Sequence, residues 1–133
     1  MSRRQYRVIV AGSRTASNLY VYSLLERKLD RILKYKAVTH DIVIVSGTAR
    51  GADRLGEEYA KSRSYLVERY PADWDQYGKR AGYIRNSEMA TDADALVALW
   101  DGESRGTKHM IAIAKQLGLP TRVITFDQNR KSL

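Results

Sequence analysis

Residues 41–53 read Asp41-Ile42-Val43-Ile44-Val45-Ser46-Gly47-Thr48-Ala49-Arg50-Gly51-Ala52-Asp53, which is the pattern of a strand, a glycine loop and the start of a helix. Its first half is a short β-branched apolar run, typical of a strand buried on both faces of a parallel sheet. Its second half is a glycine-containing loop that leads into a helical pattern. Such a loop suits phosphate, because glycines let the backbone approach an anion and the first helical amides point at it. An ordinary strand-to-helix turn would need the same glycines, so both interpretations stay open for the segment alone.

The side chains of this loop add polar groups to the candidate phosphate site. Arg50 supplies a positive charge, while Ser46 and Thr48 supply hydroxyl donors. Asp53 falls in the first turn of the predicted helix, where a carboxylate complements the helix dipole. The same carboxylate could accept a hydrogen bond from a ribose hydroxyl, and the sequence does not choose between these roles.

Apolar strands and amphipathic helices alternate along the whole chain. Strands are predicted at 6–11, 41–46, 65–70, 95–100 and 121–126, and helices lie between them, the first capped by Ser17 or Asn18. This alternation predicts a three-layer α/β, Rossmann-like fold with about five parallel strands in the order 3-2-1-4-5. The 133 residues are expected to form a single domain, with the third strand at an edge and a frayed tail at 127–133.

The loops after strands one, two and four carry glycine together with hydroxyl or arginine residues. In the predicted strand order these three loops meet at the crevice where the order reverses, which is where parallel sheets bind ligands. The ligand-binding residues predicted from these loops and from the helix between strands three and four are Gly12, Ser13, Arg14, Ser46, Gly47, Thr48, Arg50, Gly51, Asp53, Arg85, Asn86, Asp101, Gly102, Ser104, Gly106 and Thr107. Gly106 and Thr107 could instead belong only to a helix cap begun by Ser104.

Composition narrows the possible functions. The net charge of +8, from 23 basic and 15 acidic residues, favours an anionic partner such as a nucleotide, a polynucleotide or another phosphate compound. Cysteine is absent, which excludes disulfides and thiolate sites, and two isolated histidines predict no metal centre. No apolar run approaches the roughly 20 residues needed to span a bilayer, so a cytoplasmic protein without membrane contact is expected.

Three groups of residues carry a resemblance to known families. Gly12-Ser13-Arg14, then residues 46–53, then Arg85-Asn86 resemble the GSR, SGxARGxD and RN motifs of the DNA-processing protein DprA (Smf). Arg85-Asn86-Ser87-Glu88-Met89 and the later Gly106-Thr107 resemble motifs of the LOG phosphoribohydrolases. Together these families form the SLOG superfamily, and the small YspA-like branch resembles this chain most in length. The resemblance spans 8–124 and implies a nucleotide or nucleotide-derived ligand and a homo-oligomer.

The resemblance stops short of a catalytic assignment. In the phosphoribohydrolases an arginine, matched here by Arg85, works with a glutamate three residues after the GT pair, where this chain has Met110. We therefore expect a binding domain without a firm catalytic residue or cofactor. The alternatives are N-glycosidic hydrolysis with a relocated acid, and DprA-like binding of single-stranded DNA through Arg14, Arg50, Lys79, Arg80 and Arg85. Nucleic-acid binding, if present, is expected to be weak and salt-sensitive.

Several other residues have two interpretations. Arg85 could be a surface helix residue or a ligand contact, and Arg14 a salt-bridge partner or a ligand contact. His109 could be a half-buried polar residue or a catalytic one. The aromatic residues Trp74, Tyr77 and Tyr83 could stack on a base or simply cover the sheet edge.

Overall fold

The computed structural model describes residues 3–130, and its centre is a sheet of five parallel strands. The strands are β1 (Gln5–Gly12), β2 (Asp41–Ser46), β3 (Leu66–Arg69), β4 (Ala95–Trp100) and β5 (Thr121–Thr125). Their order is β3-β2-β1-β4-β5, and every neighbouring pair is parallel. The predicted fold class and strand order are confirmed, and β3 lies at an edge.

Helices connect the strands at the predicted places. They are α1 (Leu19–Leu33), α2 (Lys36–Thr39), α3 (Ala52–Arg63), α4 (Trp74–Tyr77), α5 (Ala81–Asp92) and α6 (Arg105–Gln116), with a 3-10 turn at Gly78–Arg80. The short helices α2 and α4 are not among the predicted elements. Of the two predicted caps of α1, Asn18 fills the position, because its side chain accepts a hydrogen bond of 2.9 Å from the Val21 amide.

Two apolar cores lie on the two faces of the sheet. Successive residues of β1 alternate between them, because side chains of a strand point to opposite faces. Val8 and Val10 pack with α1 and α3, whereas Ile9 and Ala11 pack with α5 and α6. All four side chains are buried, and so is most of β2 and β4. This double burial is why these strands read as continuous apolar runs rather than alternating ones.

Helix α3 approaches the sheet closely at Gly56. A Cβ atom at this position would lie 2.7 Å from the Val10 side chain, well inside ordinary contact distance. The lack of a side chain therefore sets how near α3 lies to β1. This spacing fixes where the N-terminus of α3, and the loop before it, meet the carboxyl end of the sheet.

The end of the described chain lies against the start of α1. The sequence predicts fraying over 127–133, but the Asn18 side-chain amide donates a hydrogen bond of 2.9 Å to the Arg130 carbonyl. The Arg130 guanidinium also lies 4.3 Å from the centre of the Tyr20 ring. These two contacts place residue 130 beside α1, the fraying of the tail stays a prediction, and 131–133 lie outside the described residues.

Candidate functional site

A crevice of about 470 Å³ opens at the carboxyl ends of β1 and β4. This is the point where the strand order reverses, and the volume falls within the usual range for small-ligand sites. The loops after β1, β2 and β4 contribute its walls, and helices α4, α5 and α6 complete them. The three loops therefore meet at one crevice in the structure, as predicted.

Nine predicted site residues line this crevice: Gly12, Arg14, Asp53, Arg85, Asn86, Asp101, Ser104, Gly106 and Thr107. Four others, Ser13, Ser46, Gly47 and Gly51, are buried behind its wall. Thr48 and Arg50 line a separate depression on the outer side of the loop after β2, and Gly102 is exposed. The structure therefore brings together a little over half of the predicted set.

The loop after β1 is tied to the loop after β4 by Ser13. The Ser13 amide donates to the Leu99 carbonyl at 2.8 Å, and the Ser13 hydroxyl accepts from the Asp101 amide at 3.0 Å. Gly12 lies so close to β4 that a Cβ atom there would be 2.0 Å from the Leu99 oxygen. Because Ser13 is 1% exposed, its role in this structure is to hold the two loops together.

The loop after β2, residues 46–53, is closed by its own side chains. The Thr48 amide donates to the Ser46 hydroxyl at 3.1 Å, and the Ala49 amide donates to the Asp53 carboxylate at 3.0 Å. The Gly47 carbonyl accepts a hydrogen bond from the Arg85 guanidinium. The amides of Thr48 and Ala49 therefore already have partners within the loop.

The loop after β4, residues 101–107, is open by comparison. One Asp101 carboxylate oxygen accepts from the Glu103 and Ser104 amides, each at 2.9 Å. Ser104 caps α6 by accepting from the Thr107 amide at 3.3 Å. Within residues 3–130, the amides of Arg105 and Gly106 have no acceptor, and a Cβ atom on Gly106 would meet only open space. This helix N-terminus therefore presents unused donors at the crevice.

The charges that line the crevice favour an anion. Arg14, Lys79 and Arg85 contribute three positive charges against Asp53 and Asp101. Burial raises the pKa of Asp53 to about 6, although the Ala49 amide and Arg85 act in the opposite direction. Burial lowers the pKa of Arg85, with Asp53 opposing it, but a guanidinium stays charged at neutral pH. The cationic side chains that line the crevice therefore outnumber the anionic ones by one.

Asn86 connects Arg85 to the open loop. Its side-chain oxygen accepts from the Arg85 Nε at 3.1 Å, and its amide nitrogen donates to the Gly106 carbonyl at 3.3 Å. The same nitrogen lies 3.3 Å from His109 Nδ1, which therefore acts as the acceptor of the pair. Burial lowers the pKa of His109, consistent with a neutral ring at pH 7.

Two exposed aromatic side chains form the rim of the crevice. Trp74 is 53% exposed and Tyr83 is 44% exposed, and both line it. The Tyr83 ring is supported from behind by His109, with ring centres 4.4 Å apart. Tyr77, the third aromatic residue considered in the sequence, does not line the crevice.

The crevice is also lined by residues outside the predicted ligand-binding set, among them Thr15, Ala49, Gly82 and Met89. Gly82 lies next to Trp74, since a Cβ atom there would be 3.6 Å from the indole ring. A glycine inside a helical pattern, close in sequence to an exposed tryptophan, is the signal that could have identified this contact. Met110 lines the crevice as well, with 1% exposure.

Neither a metal cluster nor a membrane-spanning helix occurs in the part of the chain that the structure describes. No group of three or more His, Asp or Glu side chains in 3–130 is placed to hold a metal ion. No helix among these residues is long and apolar enough to cross a bilayer.

Comparison with known proteins gives the family. The family model described as "YspA, cpYpsA-related SLOG family" matches residues 6–77, which run from β1 through α4 and include the closed loop. This chain belongs to that SLOG family. The YspA-like resemblance of its motifs is thereby confirmed. The "Gene 61 protein" of Mycobacterium phage D29 is 35% identical over 127 residues, which cover 90% of this chain and 95% of the phage protein.

Solved structures support the fold. The X-ray structure of TM1055 matches with a TM-score of 0.62 at 19% sequence identity, covering 89% of this chain and 72% of TM1055. At this identity the likeness establishes a common fold. The C-terminal domain of the PF1911 hydrogenase from Pyrococcus furiosus overlaps with a TM-score of 0.45 at 16% identity, covering 93% and 95% of the two chains. That score is too low to define a shared fold.

Proposed function

We propose that this SLOG domain binds a nucleotide or a nucleotide-derived ligand in the crevice. The observation that carries the proposal is the open N-terminus of α6, which lies in one crevice with Arg14, Arg85 and the aromatic rim. Helix amides and arginines suit a phosphate group, and an exposed aromatic ring suits a base. A nucleotide carries both groups in one molecule.

The phosphate group is assigned to the side of the crevice formed by the loop after β4. The unused amides of Arg105 and Gly106 supply donors there, and Arg14 is exposed and has no ion pair among residues 3–130. Arg85 is held in place by Gly47 and Asn86, which orders its guanidinium before a ligand arrives. Preorganised donors of this kind lower the entropy cost of binding.

The base is assigned to the aromatic rim. Trp74 and Tyr83 present large exposed rings at the crevice, and the contact between Tyr83 and His109 limits the motion of one of them. Stacking on such rings is favourable for every base, so the rim by itself selects a nucleobase rather than one particular base.

Binding rather than turnover is proposed because the crevice offers no suitable carboxylate at the expected place. Met110 occupies the position of the phosphoribohydrolase glutamate, and a thioether can neither deprotonate water nor stabilise an oxocarbenium ion. Asp53 is the buried carboxyl of the crevice, and one of its oxygens already accepts from Ala49. Incubation with nucleoside monophosphates is expected to release no free base. Base release that disappears in Arg85→Ala would establish the phosphoribohydrolase alternative.

Titration of the purified protein with the four nucleoside 5′-monophosphates tests the binding proposal. Saturable binding is expected, with quenching of tryptophan fluorescence that Trp74→Leu reduces. Arg14→Gln is expected to weaken binding about tenfold, because it removes charged hydrogen bonds to phosphate. Arg27→Gln, an exposed charge on α1 outside the crevice, is the matched control. Equal affinities of these two variants, or no saturable binding by the folded wild type, would reject the crevice as a nucleotide site.

A cytoplasmic homo-oligomer is also part of the proposal. Its support is the resemblance to SLOG families that often form homo-oligomers. Native mass spectrometry of the purified protein gives the mass of the assembly and of any nucleotide that purifies with it. A monomer at working concentrations would contradict the oligomer without affecting the crevice.

A further inference from the structure

The outer side of the loop after β2 forms a second depression of about 380 Å³. Its lining residues are Thr48, Ala49, Arg50, Arg54, Glu57 and Arg69. Ala49 also lines the main crevice, so a single loop separates the two. We name this depression the outer pocket, and it is not part of the crevice described above.

Three guanidinium groups dominate the charge of the outer pocket. Glu57 is its acidic residue, and that carboxylate already has partners. One of its oxygens binds Arg69 at 2.8 Å, and the other accepts from the Ser46 hydroxyl at 2.6 Å. Arg50 and Arg54 are exposed and form no ion pair with any residue in 3–130. Two unneutralised guanidinium groups therefore face one concave surface.

The loop backbone is held in an unfavourable conformation that builds this surface. Thr48 has a φ of +66°, which is rare for a β-branched residue. The conformation is fixed from both ends, because Thr48 and Ala49 donate to Ser46 and Asp53. Arg50 consequently lies on the outer pocket rather than in the crevice where the sequence pattern places it.

We propose that the outer pocket binds a phosphate group, with Arg50 and Arg54 as its ligands and Arg69 fixed beside them by Glu57. Guanidinium groups form paired hydrogen bonds with phosphate oxygens, which matches two unpaired arginines around one depression. The phosphate belongs either to the crevice ligand, which would then span the loop, or to a separate phosphate compound. The first case rests on the proposed nucleotide site, and the second does not.

The test compares the double variant Arg50→Gln/Arg54→Gln with Arg27→Gln/Arg31→Gln, which removes two exposed charges of α1 outside both pockets. The probes are pyrophosphate, thymidine 5′-monophosphate and the 5′-phosphorylated dinucleotide pdTpdT, at physiological ionic strength. For pyrophosphate or pdTpdT, the outer-pocket variant is expected to bind about tenfold more weakly or worse, whereas the control variant binds as wild type. Loss confined to pdTpdT assigns the phosphate to a spanning ligand, and loss of pyrophosphate assigns it to a separate one.

Equal affinities of the two double variants for both two-phosphate probes would overturn the proposal. Thymidine monophosphate separates this failure from failure of the crevice, because its binding is expected to need Arg14 but neither Arg50 nor Arg54. Both double variants replace exposed side chains without ion pairs within 3–130, so unchanged melting temperatures confirm that folding is intact.

Discussion

The two glycine loops of this domain look alike in sequence and differ in what they leave available. In the closed loop after β2, the amides of Thr48 and Ala49 bind Ser46 and Asp53. In the open loop after β4, the first amides of α6 lack partners within 3–130, and Gly106 borders empty space. Glycine therefore serves two purposes after the parallel strands of this domain. It permits tight internal packing in one loop and leaves room for a ligand in the other.

The largest expected effect on stability compares a crowded glycine of the closed loop with an uncrowded glycine of the open loop that has a similar φ. Gly51 in the closed loop and Gly102 in the open loop have φ values of +82° and +86°. A Cβ atom on Gly51 would lie 2.5 Å from the Ser13 oxygen, whereas one on Gly102 would contact nothing. Gly51→Ala is expected to lower the free energy of unfolding by more than about 3 kcal/mol, and Gly102→Ala by about 1 kcal/mol. Urea unfolding measures the free energy of unfolding of both variants. Equal losses would show that the closed loop can shift to accommodate the added methyl group.

The next effect concerns the carboxylates of the two loops. In the folded state Asp53 keeps its proton up to about pH 6, whereas in the unfolded chain it loses the proton near pH 4. Folding therefore takes up a proton between these values, and the contribution of Asp53 to stability falls as pH rises from 4 to 6. The loss is on the order of 2–3 kcal/mol, and Asp53→Asn is expected to abolish it.

Asp101 in the open loop should show the opposite sign. Burial acts to raise its pKa, but the Glu103 and Ser104 amides outweigh burial and hold the pKa below its ordinary value. Its contribution is present above about pH 4 and is lost as pH falls below that. The free energy of unfolding of the wild type, Asp53→Asn and Asp101→Asn, measured at several pH values, compares the contributions of the two carboxylates. A wild-type profile that Asp53→Asn leaves unchanged between pH 4 and 7 would contradict the closed-loop assignment.

A third prediction concerns ligand binding at the open loop. Gly106→Leu is expected to weaken mononucleotide binding about tenfold or more, because the new side chain enters empty space beside the first amides of α6. The same change should leave the domain folded, and Gly106→Ala should stabilise it by up to about 1 kcal/mol, since alanine favours a helix. Calorimetric titration measures the nucleotide affinity of both variants, and thermal unfolding measures their stability. Undiminished affinity of Gly106→Leu would remove α6 from the site.

The smallest effect tests the cap of the open loop. Ser104→Ala removes the acceptor of the Thr107 amide and is expected to lower stability by about 1 kcal/mol, a shift of a few degrees in melting temperature. Ser104→Asn, which preserves a capping oxygen, should restore most of it. A melting temperature that neither substitution changes would mean that the cap contributes nothing measurable.

The fold could be predicted from sequence because its signals are local. The apolar runs of β1, β2 and β4 are buried on both faces, and burial on both faces is what produces such runs. The alternation of strands and helices predicts the strand order, and the glycine loops after strands one, two and four then predict the convergence at the crevice. The cap at Asn18 was equally local.

Which loop is closed and which is open could not be predicted, because it depends partly on contacts between residues far apart in sequence. The loop after β2 is also held by Arg85, which donates to the Gly47 carbonyl from 38 residues away in sequence. The position of Arg50 depends on the left-handed conformation of Thr48. Threonine rarely adopts this conformation, so the sequence does not predict it. The packing of Ser13 behind the crevice required the Asp101 contact, which only the folded chain supplies.

The central position of β1 has a consequence for biosynthesis. Val8 pairs with Ile44 on one side but with Ala95 on the other, so the two neighbours of β1 leave the ribosome at very different times. A nascent chain can form β1, β2 and β3 while the second edge of β1 is still unpaired and apolar. Such an edge is a template for pairing with another chain. The time needed to translate α4, α5 and β4 therefore sets how long the nascent domain is exposed to aggregation.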